Sequence, residues 1–412
     1  MAGATVSIRS AEGDFSGYLA LPESGSGPGL IIPHEIFGVN HHIRWLADFY
    51  AQEGWVTLVP DLFWRIQPGI QLGFSEAEFQ QALSLGNRLS VAHALTDIET
   101  AVNMLRARPE CNGKVGAIGF CLGGKLAFLT AAGGSVDAAV GYYAIELETM
   151  LDKVKSINCP ALFHFAGEDA LCPEPVRERI RAAMAANENI ESYVYPGAQH
   201  AFNNRERTIG YDKFASTFAH TRTVDFLRRA IGPRYDMAAL WERHTHFEFR
   251  ARDADETMKT MVADPYVNHI PTMTGGYGFE ELHRYYKYHF IPKFPKDTKN
   301  IHVSRTVQGD RLIDEVVLCF THDIVIDSML PGIAPTGKYV EVPLVAIVQF
   351  RGDKLYNEHI YWDQASLLAQ IGVIDPKQTP AVAGIETAKK VLDEKLPANT
   401  LMPNWKDSAG GA

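Results

Sequence analysis

One cysteine stands in a glycine-rich turn, in a sequence context typical of a covalent nucleophile. Cys121 lies in the segment GFCLGG, residues 119–124, directly after the apolar run 115–118. A strand, a tight turn and a helix around such a residue form a nucleophile elbow, and glycines allow the strand end and the helix start to approach closely. The partial positive charge at a helix N-terminus favours thiolate over thiol. Cys121 is therefore the candidate nucleophile.

A thiol nucleophile needs a base and an acid that orients the base. Glu168 and Asp169 follow the apolar run 161–166, and His200 follows the run 192–195 after a Pro-Gly turn. Nucleophile, acid and histidine thus occur in the chain order expected after an elbow. We assign His200 as the base and Asp169 as its partner, with Glu168 as the competing acid. The alternative is a small buried cysteine and an unrelated surface histidine.

The elements that must position these residues form an alternating pattern in the first half of the chain. Strands are predicted at 30–32, 55–59, 115–120, 138–143, 161–166 and 192–195, and helices at 42–52, 90–106, 122–132, 174–186 and 213–229. Short strands between longer helices indicate an α/β fold with a mostly parallel sheet covered on both faces. The carboxyl ends of parallel strands share one edge, so the three candidate side chains should meet there.

A different pattern follows the helix breakers Gly232 and Pro233. Helices are predicted at 237–252, 253–261 and 278–288, then strands at 301–307, 312–327, 340–350 and 354–362, with a hairpin turn at 351–354. Helices followed by a run of strands indicate an α+β domain. We predict domains over 1–232 and 236–375, and a C-terminal helix (381–396) with a mobile tail over 376–412.

Composition excludes several functional classes. The net charge is −10, which argues against a nucleic-acid partner. No apolar stretch is long enough to span a bilayer, and the first residues lack the features of a signal peptide. The five cysteines lack the paired spacing of a disulfide framework. We expect a cytoplasmic protein with neither a nucleic-acid nor a membrane partner.

Three histidines near the first strand raise the question of a metal. His34, His41 and His42 lie close in sequence, but their spacing lacks strand or helix periodicity and no trio of cysteines or carboxylates accompanies them. Polar residues of a loop near the site are the preferred interpretation. We therefore expect neither a metal nor an organic cofactor.

Five segments of the first half resemble dienelactone hydrolases, also called carboxymethylenebutenolidases, over about residues 5–230. They are HEIFGVN (34–40), GFCLGG (119–124), VGYYA (140–144), PALFHFAGED (160–169) and PGAQHAF (196–202). The resemblance implies an α/β-hydrolase fold in which Cys121 is the nucleophile, His200 the base and Asp169 the third member of the triad. It further implies that Glu35 governs protonation of the thiol and that backbone N–H groups of Ile36 and Leu122 form the oxyanion hole.

The chain departs from that resemblance where a substrate carboxylate would bind. The family is expected to use arginines, one of them shortly after the histidine, and here Arg205 is displaced by one position. The segment 73–81, where a second arginine is expected, contains none, which leaves Arg65 and Arg88 as substitutes. Phe37 and Phe202 are further candidates for substrate contact.

The second half, residues 236–375, resembles SnoaL-like proteins of the NTF2-like superfamily. The segments that carry the resemblance are YVNHIPTM (266–273) and DKLYNEHIYWDQASLLAQIG (353–372). It implies a cone of helices on a curved sheet around a pocket. Alternation along a strand puts His359, Tyr361 and Asp363 on one side, and with His269 they are candidates for a second site. Alternatively the pocket only binds, pairs subunits or scaffolds, and Asp363 caps a helix at 364–371.

Together these patterns predict a cysteine-dependent hydrolase that opens a small-molecule lactone or ester through a thioester acyl-enzyme. The second domain is expected to be an accessory pocket or the contact of a homo-oligomer. One alternative is a bifunctional protein whose second domain adds an isomerase or cyclase step. The other is a ligand-binding protein whose hydrolase half is inactive.

Overall fold

The computed structural model describes residues 3–410, which form two compact units that divide between Arg234 and Tyr235. Each unit has its own sheet and its own buried apolar clusters. Within the described residues, no helix is both long and apolar enough to cross a membrane.

The first unit is an eight-stranded sheet with helices on both faces, in the order β1-β2-β4-β3-β5-β6-β7-β8. The strands from β3 to β8 are parallel, while β1 and β2 pair antiparallel with their neighbours. The elements are β1 Ala4–Ser10, β2 Gly13–Ala20, β3 Gly27–Ile31, α1 His41–Gln52, β4 Val56–Pro60, α2 Glu76–Arg88, α3 Val91–Arg106, β5 Cys111–Phe120, α4 Leu122–Ala132, β6 Ala138–Tyr142, β7 Ala161–Ala166, α5 Glu174–Met184, β8 Ile190–Tyr195 and α6 Lys213–Ala230.

The predicted parallel core of this unit is confirmed, and three elements were missed. β1 and β2 form an antiparallel pair at the sheet edge, where β1 leaves most of its residues partly or fully exposed and so lacks the apolar run of a central strand. Helix α2 buries only Ala82 and Leu85. Its start is a capping box between Ser75 and Glu78, a polar signal rather than an apolar one.

The second unit is a mixed six-stranded sheet in the order β10-β9-β14-β13-β12-β11, in which β9 and β14 are parallel and the other pairs antiparallel. Its elements are α7 Met237–His246, α8 Ala254–Lys259, β9 Met261–His269, β10 Thr274–Tyr277, α9 Phe279–Tyr285, β11 Lys299–Gln308, β12 Arg311–Thr321, β13 Tyr339–Arg351, β14 Lys354–Trp362, α10 Gln364–Ile371 and α11 Glu386–Leu392. Helices α7 and α9 each continue into a π-helical turn, at Phe247–Ala251 and Tyr286–Phe290.

Several predicted boundaries in the second unit are wrong. The helix predicted at 253–261 ends at Lys259, and Met261 already begins the missed strand β9. The strand predicted to reach residue 327 ends at Thr321, and α11 is shorter than the predicted 381–396. The hairpin turn is confirmed, since Arg351 pairs with Lys354 and Gly352 has φ +62°.

A cavity of about 320 Å³ opens inside the second unit. Residues of α7 and of both π-helical turns form one wall, and side chains of β12, β13 and β14 form the other. Its lining combines aromatic and aliphatic side chains, among them Trp241, Phe290 and Trp362, with polar and charged side chains.

Candidate active site

Cys121 occupies the turn between β5 and α4 with φ +54° and ψ −117°. A non-glycine residue in this region is strained by about 1–3 kcal/mol, which the surrounding structure must offset. A Cβ atom at Gly119 would lie 1.9 Å from the carbonyl oxygen of Gly123, and one at Gly123 would lie 2.1 Å from that of Pro33. Because neither glycine has a side chain, α4 is able to start against the end of β5, and the segment after β3 is able to pack against the turn.

His200 and Asp169 come together at the same edge of the sheet, after β8 and β7. Nδ1 of His200 lies 2.8 Å from Oδ2 of Asp169, whose other oxygen accepts a 2.9 Å hydrogen bond from the backbone N–H of Leu171. Burial lowers the pKa of His200, but its interactions with Cys121 and Asp169 outweigh burial and raise the pKa to about 10. Nε2 has no hydrogen-bond partner of good geometry among residues 3–410. Glu168, the competing acid, is exposed.

Glu35 is buried beyond the end of β3, with only 3% of its surface exposed. Burial raises the pKa of its carboxyl, against the opposing effects of the His200 and Arg207 charges and of a hydrogen bond from Asn204. That bond runs from Nδ2 of Asn204 to Oε2 over 3.3 Å. The carboxyl thus lies close enough to His200 for the two groups to influence each other's protonation.

Three residues of this site were missed from the sequence: Tyr143, Asn204 and Arg207. Tyr143 is buried with φ +36°, and its ring centroid lies 5.0 Å from that of His200. Its hydroxyl has no hydrogen-bond partner in the described structure. Burial raises the pKa of this phenol well above its usual value, and the charges of Glu35 and Cys121 add to the effect. The position directly after β6, at the edge where the other groups gather, was the available signal.

The expected oxyanion-hole residues lie at the start of α4 and in the turn that follows β3. Leu122 is the first residue of α4, where a backbone N–H has no acceptor within the helix. Ile36 lies in the turn that follows Glu35. The close approach at Gly123 brings the segment containing Pro33 against the start of α4.

The three arginines expected at the substrate are engaged or exposed elsewhere. Arg65 binds the carboxylate of Asp97 through Nε and Nη2, at 3.2 and 2.8 Å, and pairs with Glu12. Arg205 stacks on the ring of Trp45 at 4.5 Å, and Arg88 is exposed at the end of α2. The arginine whose charge reaches Glu35 and Tyr143 is instead Arg207.

The two candidate phenylalanines are buried in aromatic clusters. Phe202 is 0% exposed and packs edge-on against Tyr143 at 5.3 Å. Phe37 packs against Phe74 at 4.8 Å in a cluster that also contains Phe63. Both side chains are buried, and Phe202 is fully covered by protein.

Each of the three histidines near β3 has a different environment. Nδ1 of His34 donates to the Glu35 carbonyl at 2.6 Å and Nε2 accepts from the N–H of Leu62 at 3.0 Å. His41 is exposed and pairs with Glu206, whereas burial lowers the pKa of His42 to about 3. His34 therefore fixes the backbone that carries Glu35.

Of the four candidates for the second cavity, only His269 is among the described residues that line it. Burial lowers the pKa of His269 to about 4, and its Nδ1 lies 3.1 Å from the hydroxyl of Tyr285. The alternation on β14 is as predicted, but the cavity face carries Glu358, Ile360 and Trp362. His359 and Tyr361 occupy the opposite face.

The remaining candidate, Asp363, occupies a capping position rather than the cavity. Its side chain accepts a 3.1 Å hydrogen bond from the N–H of Ser366 at the start of α10. The capping alternative is therefore the one that the structure supports.

The sheet order and the position of the elbow define the first unit as an α/β hydrolase. Residues 15–231, more than half of the chain, match the family model described as Dienelactone hydrolase family. The chain belongs to this family, and its first unit is a hydrolase of ester or lactone bonds.

Curated relatives cover the same part of the chain. The carboxymethylenebutenolidase of Pseudomonas putida is 39% identical over 224 residues, which are 54% of this chain and 94% of the relative. Carboxymethylenebutenolidase 1 of Cupriavidus pinatubonensis is 34% identical over 232 residues, 56% of this chain and 98% of the relative. The crystal structure of a dienelactone hydrolase from Anabaena variabilis covers 56% of this chain and 98% of its own, with 20% identity and a TM-score of 0.43.

Proposed function

We propose that the first unit opens a small-molecule lactone or ester through a thioester acyl-enzyme on Cys121, with His200 as the base and Asp169 as its orienting acid. The observation that carries the proposal is the meeting of the three groups after β5, β8 and β7, with Nδ1 of His200 2.8 Å from the Asp169 carboxylate. That contact makes Nδ1 the donor, so Nε2 is the nitrogen that is able to take the thiol proton.

In the first half of the reaction the sulfur of Cys121 attacks the carbonyl carbon while its proton passes to Nε2 of His200. The oxyanion of the tetrahedral intermediate accepts hydrogen bonds from the backbone N–H groups of Leu122 and Ile36. Collapse breaks the ester C–O bond, and the leaving oxygen takes the proton from His200. For a lactone this oxygen remains tethered to the acyl group.

In the second half His200 removes a proton from water, which attacks the thioester carbonyl. The C–S bond then breaks and the sulfur regains its proton from the imidazolium, which leaves a carboxylic acid and the free thiol. Each half uses the same base and oxyanion hole, so a single arrangement serves both.

We further propose that Glu35 controls the proton of the thiol before substrate arrives. A buried carboxyl with a raised pKa is a suitable acceptor for one proton when charge elsewhere in the site changes. Its hydrogen bond from Asn204 orients the carboxylate during that exchange.

The substrate class follows from the charges at the site mouth. Arg207 is partly buried. Burial raises the pKa values of Glu35 and Tyr143, and the positive charge of Arg207 opposes this effect at both groups. A guanidinium so close to the reacting groups favours a substrate that carries a carboxylate, and the hydroxyl of Tyr143 offers it a hydrogen bond. A lactone with a carboxylate side group fits this description.

The experiment compares two cysteines that flank the same strand. Cys121 follows the carboxyl end of β5 and Cys111 begins it, about 30 Å away. Purified protein is treated with iodoacetamide between pH 5 and 9, and alkylation of each cysteine is followed by mass spectrometry, while turnover of a dienelactone is measured in parallel. Cys121 is expected to be alkylated first, with loss of turnover.

Two variants complete the test. Cys121→Ala is expected to lose turnover and keep its fold by circular dichroism, whereas Cys111→Ala is expected to match the unsubstituted protein in both. Turnover in Cys121→Ala at the rate of the unsubstituted protein would rule out the acyl-enzyme.

For the second unit we propose a SnoaL-like cone of the NTF2-like superfamily, which serves as an accessory pocket and as the contact of a homo-oligomer in the cytoplasm. The mixed sheet with helices around a cavity supports this fold. Light scattering of the full chain tests the assembly: a monomer at micromolar concentration contradicts the pairing, and the hydrolase mechanism above is independent of it.

A further inference from the structure

Three buried groups that the hydrolase does not use lie close together beside the cavity in the second unit, and two of them, Glu248 and Glu358, line it. His244 is near the end of α7, Glu248 lies in the π-helical turn that continues α7, and Glu358 lies on β14. Their exposed fractions are 0%, 5% and 3%. One candidate ligand atom from each lies within 4.8 Å of the others.

The hydrogen bonds of His244 fix its tautomer. The hydroxyl of Thr260 donates to the carbonyl of Thr257 at 2.6 Å, so its oxygen is left to accept from Nδ1 of His244, also at 2.6 Å. Nδ1 therefore carries the proton. In the neutral imidazole Nε2 presents its lone pair toward the two carboxylates, and the hydroxyl of Tyr286 lies 3.4 Å from it. A histidine that binds a metal almost always donates its other ring N–H to a hydrogen-bond acceptor, and the hydroxyl of Thr260 provides one here.

The distances around Nε2 are those of ligands on a common ion. Oε1 of Glu248 lies 3.2 Å and Oε1 of Glu358 lies 3.1 Å from Nε2. Two ligand atoms about 2.0–2.2 Å from one ion are about 2.8–3.6 Å apart at angles of 90–109°. The two separations from Nε2 fall within this range before any ion is added.

The oxygen of Glu358 gives independent support. Despite its short distance from Nε2, Oε1 has no hydrogen bond of acceptable geometry in the described structure. A buried carboxylate oxygen without a hydrogen bond is costly unless a cation binds it.

The charge of the cluster also favours a cation. Two carboxylates and one imidazole carry a net charge of −2 or −1 when both acids are ionised. Arg305, which also lines the cavity, is already bound to Asp314 at 3.1 and 3.0 Å and to Glu242 at 2.8 Å. A divalent ion would neutralise the cluster.

We propose that His244, Glu248 and Glu358 bind one divalent transition-metal ion at the edge of the cavity in the second unit. One imidazole and two carboxylates suit Zn²⁺, Mn²⁺ or Fe²⁺. Three protein ligands leave a coordination position open toward the cavity, where a small molecule with an oxygen donor binds between Trp241 and Phe290. Both π-helical turns adjoin this point, since Glu248 and Tyr286 lie in them, and such turns often occur at functional sites.

The test is metal binding by the full chain, purified without a histidine tag and treated with a chelator. Equilibrium dialysis against Zn²⁺, Mn²⁺ and Fe²⁺, with metal content measured by mass spectrometry, is expected to give about one ion per chain for at least one metal. Glu358→Gln, which keeps the side-chain shape, is expected to bind at least about 10-fold more weakly. His246→Ala, which alters a histidine that lies on the same helix and lines the same cavity but is outside the cluster, is the matched control and should bind normally.

Two further measurements keep the test decisive. Thr260→Val leaves all three ligands in place but removes the acceptor of Nδ1, and an affinity about 10- to 100-fold lower is expected. With Co²⁺ in place of the native ion, visible absorption should differ between the unsubstituted protein and Glu358→Gln. Equal affinity in these two proteins would assign the ion to another site. Folded chain that binds none of the three ions below about 100 µM would overturn the proposal, because the cluster would then hold protons only.

Discussion

The Asp169→Asn variant tests the proposed triad most sharply, because its effect depends on the direction of two hydrogen bonds. In the native site one carboxylate oxygen accepts from Nδ1 of His200 at 2.8 Å and the other accepts from the N–H of Leu171 at 2.9 Å. The amide of the variant has only one acceptor oxygen. If this oxygen stays on Leu171, the amide NH₂ group faces Nδ1, which must then be unprotonated. The proton moves to Nε2, and His200 is unable to take a proton from Cys121.

The opposite orientation of the amide is also costly. With its oxygen on Nδ1, the amide NH₂ group faces the N–H of Leu171, and two donors meet at a site where the native Asp169 is 4% exposed. An unmade hydrogen bond of this kind costs about 1–3 kcal/mol, which corresponds to about a 5- to 150-fold loss of active tautomer. Loss of the negative charge that stabilises the imidazolium adds to this, so kcat/KM is expected to fall by about 10²- to 10⁴-fold.

The assay is steady-state hydrolysis of a dienelactone across pH 5–10, with circular dichroism to verify the fold. Asp169→Ala is the informative comparison, because it removes the partner without imposing a tautomer and is expected to retain about 5-fold more activity than Asp169→Asn. Glu168→Gln, an exposed carboxylate one residue away, is the control and should leave kcat/KM unchanged. Asp169→Asn that is as active as the unsubstituted protein, or more active than Asp169→Ala, would refute the proposed role.

Three other predictions concern neighbouring parts of the first unit. In Gly123→Ala the new Cβ would lie 2.1 Å from the carbonyl oxygen of Pro33. The free energy of unfolding should therefore fall by about 1–3 kcal/mol and kcat/KM by about 10²-fold, as measured by urea melts and steady-state kinetics. Gly133→Ala, whose new Cβ has its nearest contact at 3.4 Å, should match the unsubstituted protein in both. The pKa of His200 is raised to about 10 in the folded protein, so the stabilising interactions of its charged form are fully present below pH 6.5 and are lost as the pH approaches 10. The difference in unfolding free energy between the unsubstituted protein and His200→Ala should therefore shrink from pH 6.5 to 10. A constant difference over that range would contradict this prediction. Arg207→Met should raise KM about 10- to 150-fold for a substrate with a carboxylate and little for a neutral ester, and Arg205→Met should change neither.

The positions of Cys121, Asp169 and His200 were predictable because each depends on a local rule. Every one follows a short apolar strand of a parallel sheet, and the carboxyl ends of these strands share an edge whatever the details of helix packing. The contact between His200 and Asp169 needs only that β7 and β8 be neighbours, as they are. Strand pattern and chain order were therefore sufficient for this part of the site.

The arginines could not be assigned in this way, because the guanidinium group of an arginine lies several ångströms from its own backbone. Arg205 and Arg207 belong to the same loop, yet one stacks on Trp45 and the other acts on Glu35. Which of them faces the thiol depends on the path of residues 201–212, including the positive φ of Ala201. No periodic pattern encodes that path, so sequence spacing alone did not single out Arg207.

The cavity of the second unit shows a different limit. The predicted alternation of side chains along β14 is correct, but the face of the strand that lines the cavity is the other one. Along β14 the residues 358, 360 and 362 alternate with 359, 361 and 363, and the polar set was preferred as the functional one. Ile360 and Trp362 nevertheless require their own side of the strand to be buried, and Glu358 shares that side with them. A carboxylate that alternates in register with large apolar residues must lose its water on folding, which is tolerated only with a partner. Such a residue is therefore a stronger functional signal than a polar residue among other polar ones, and in this unit it leads directly to His244 and Glu248.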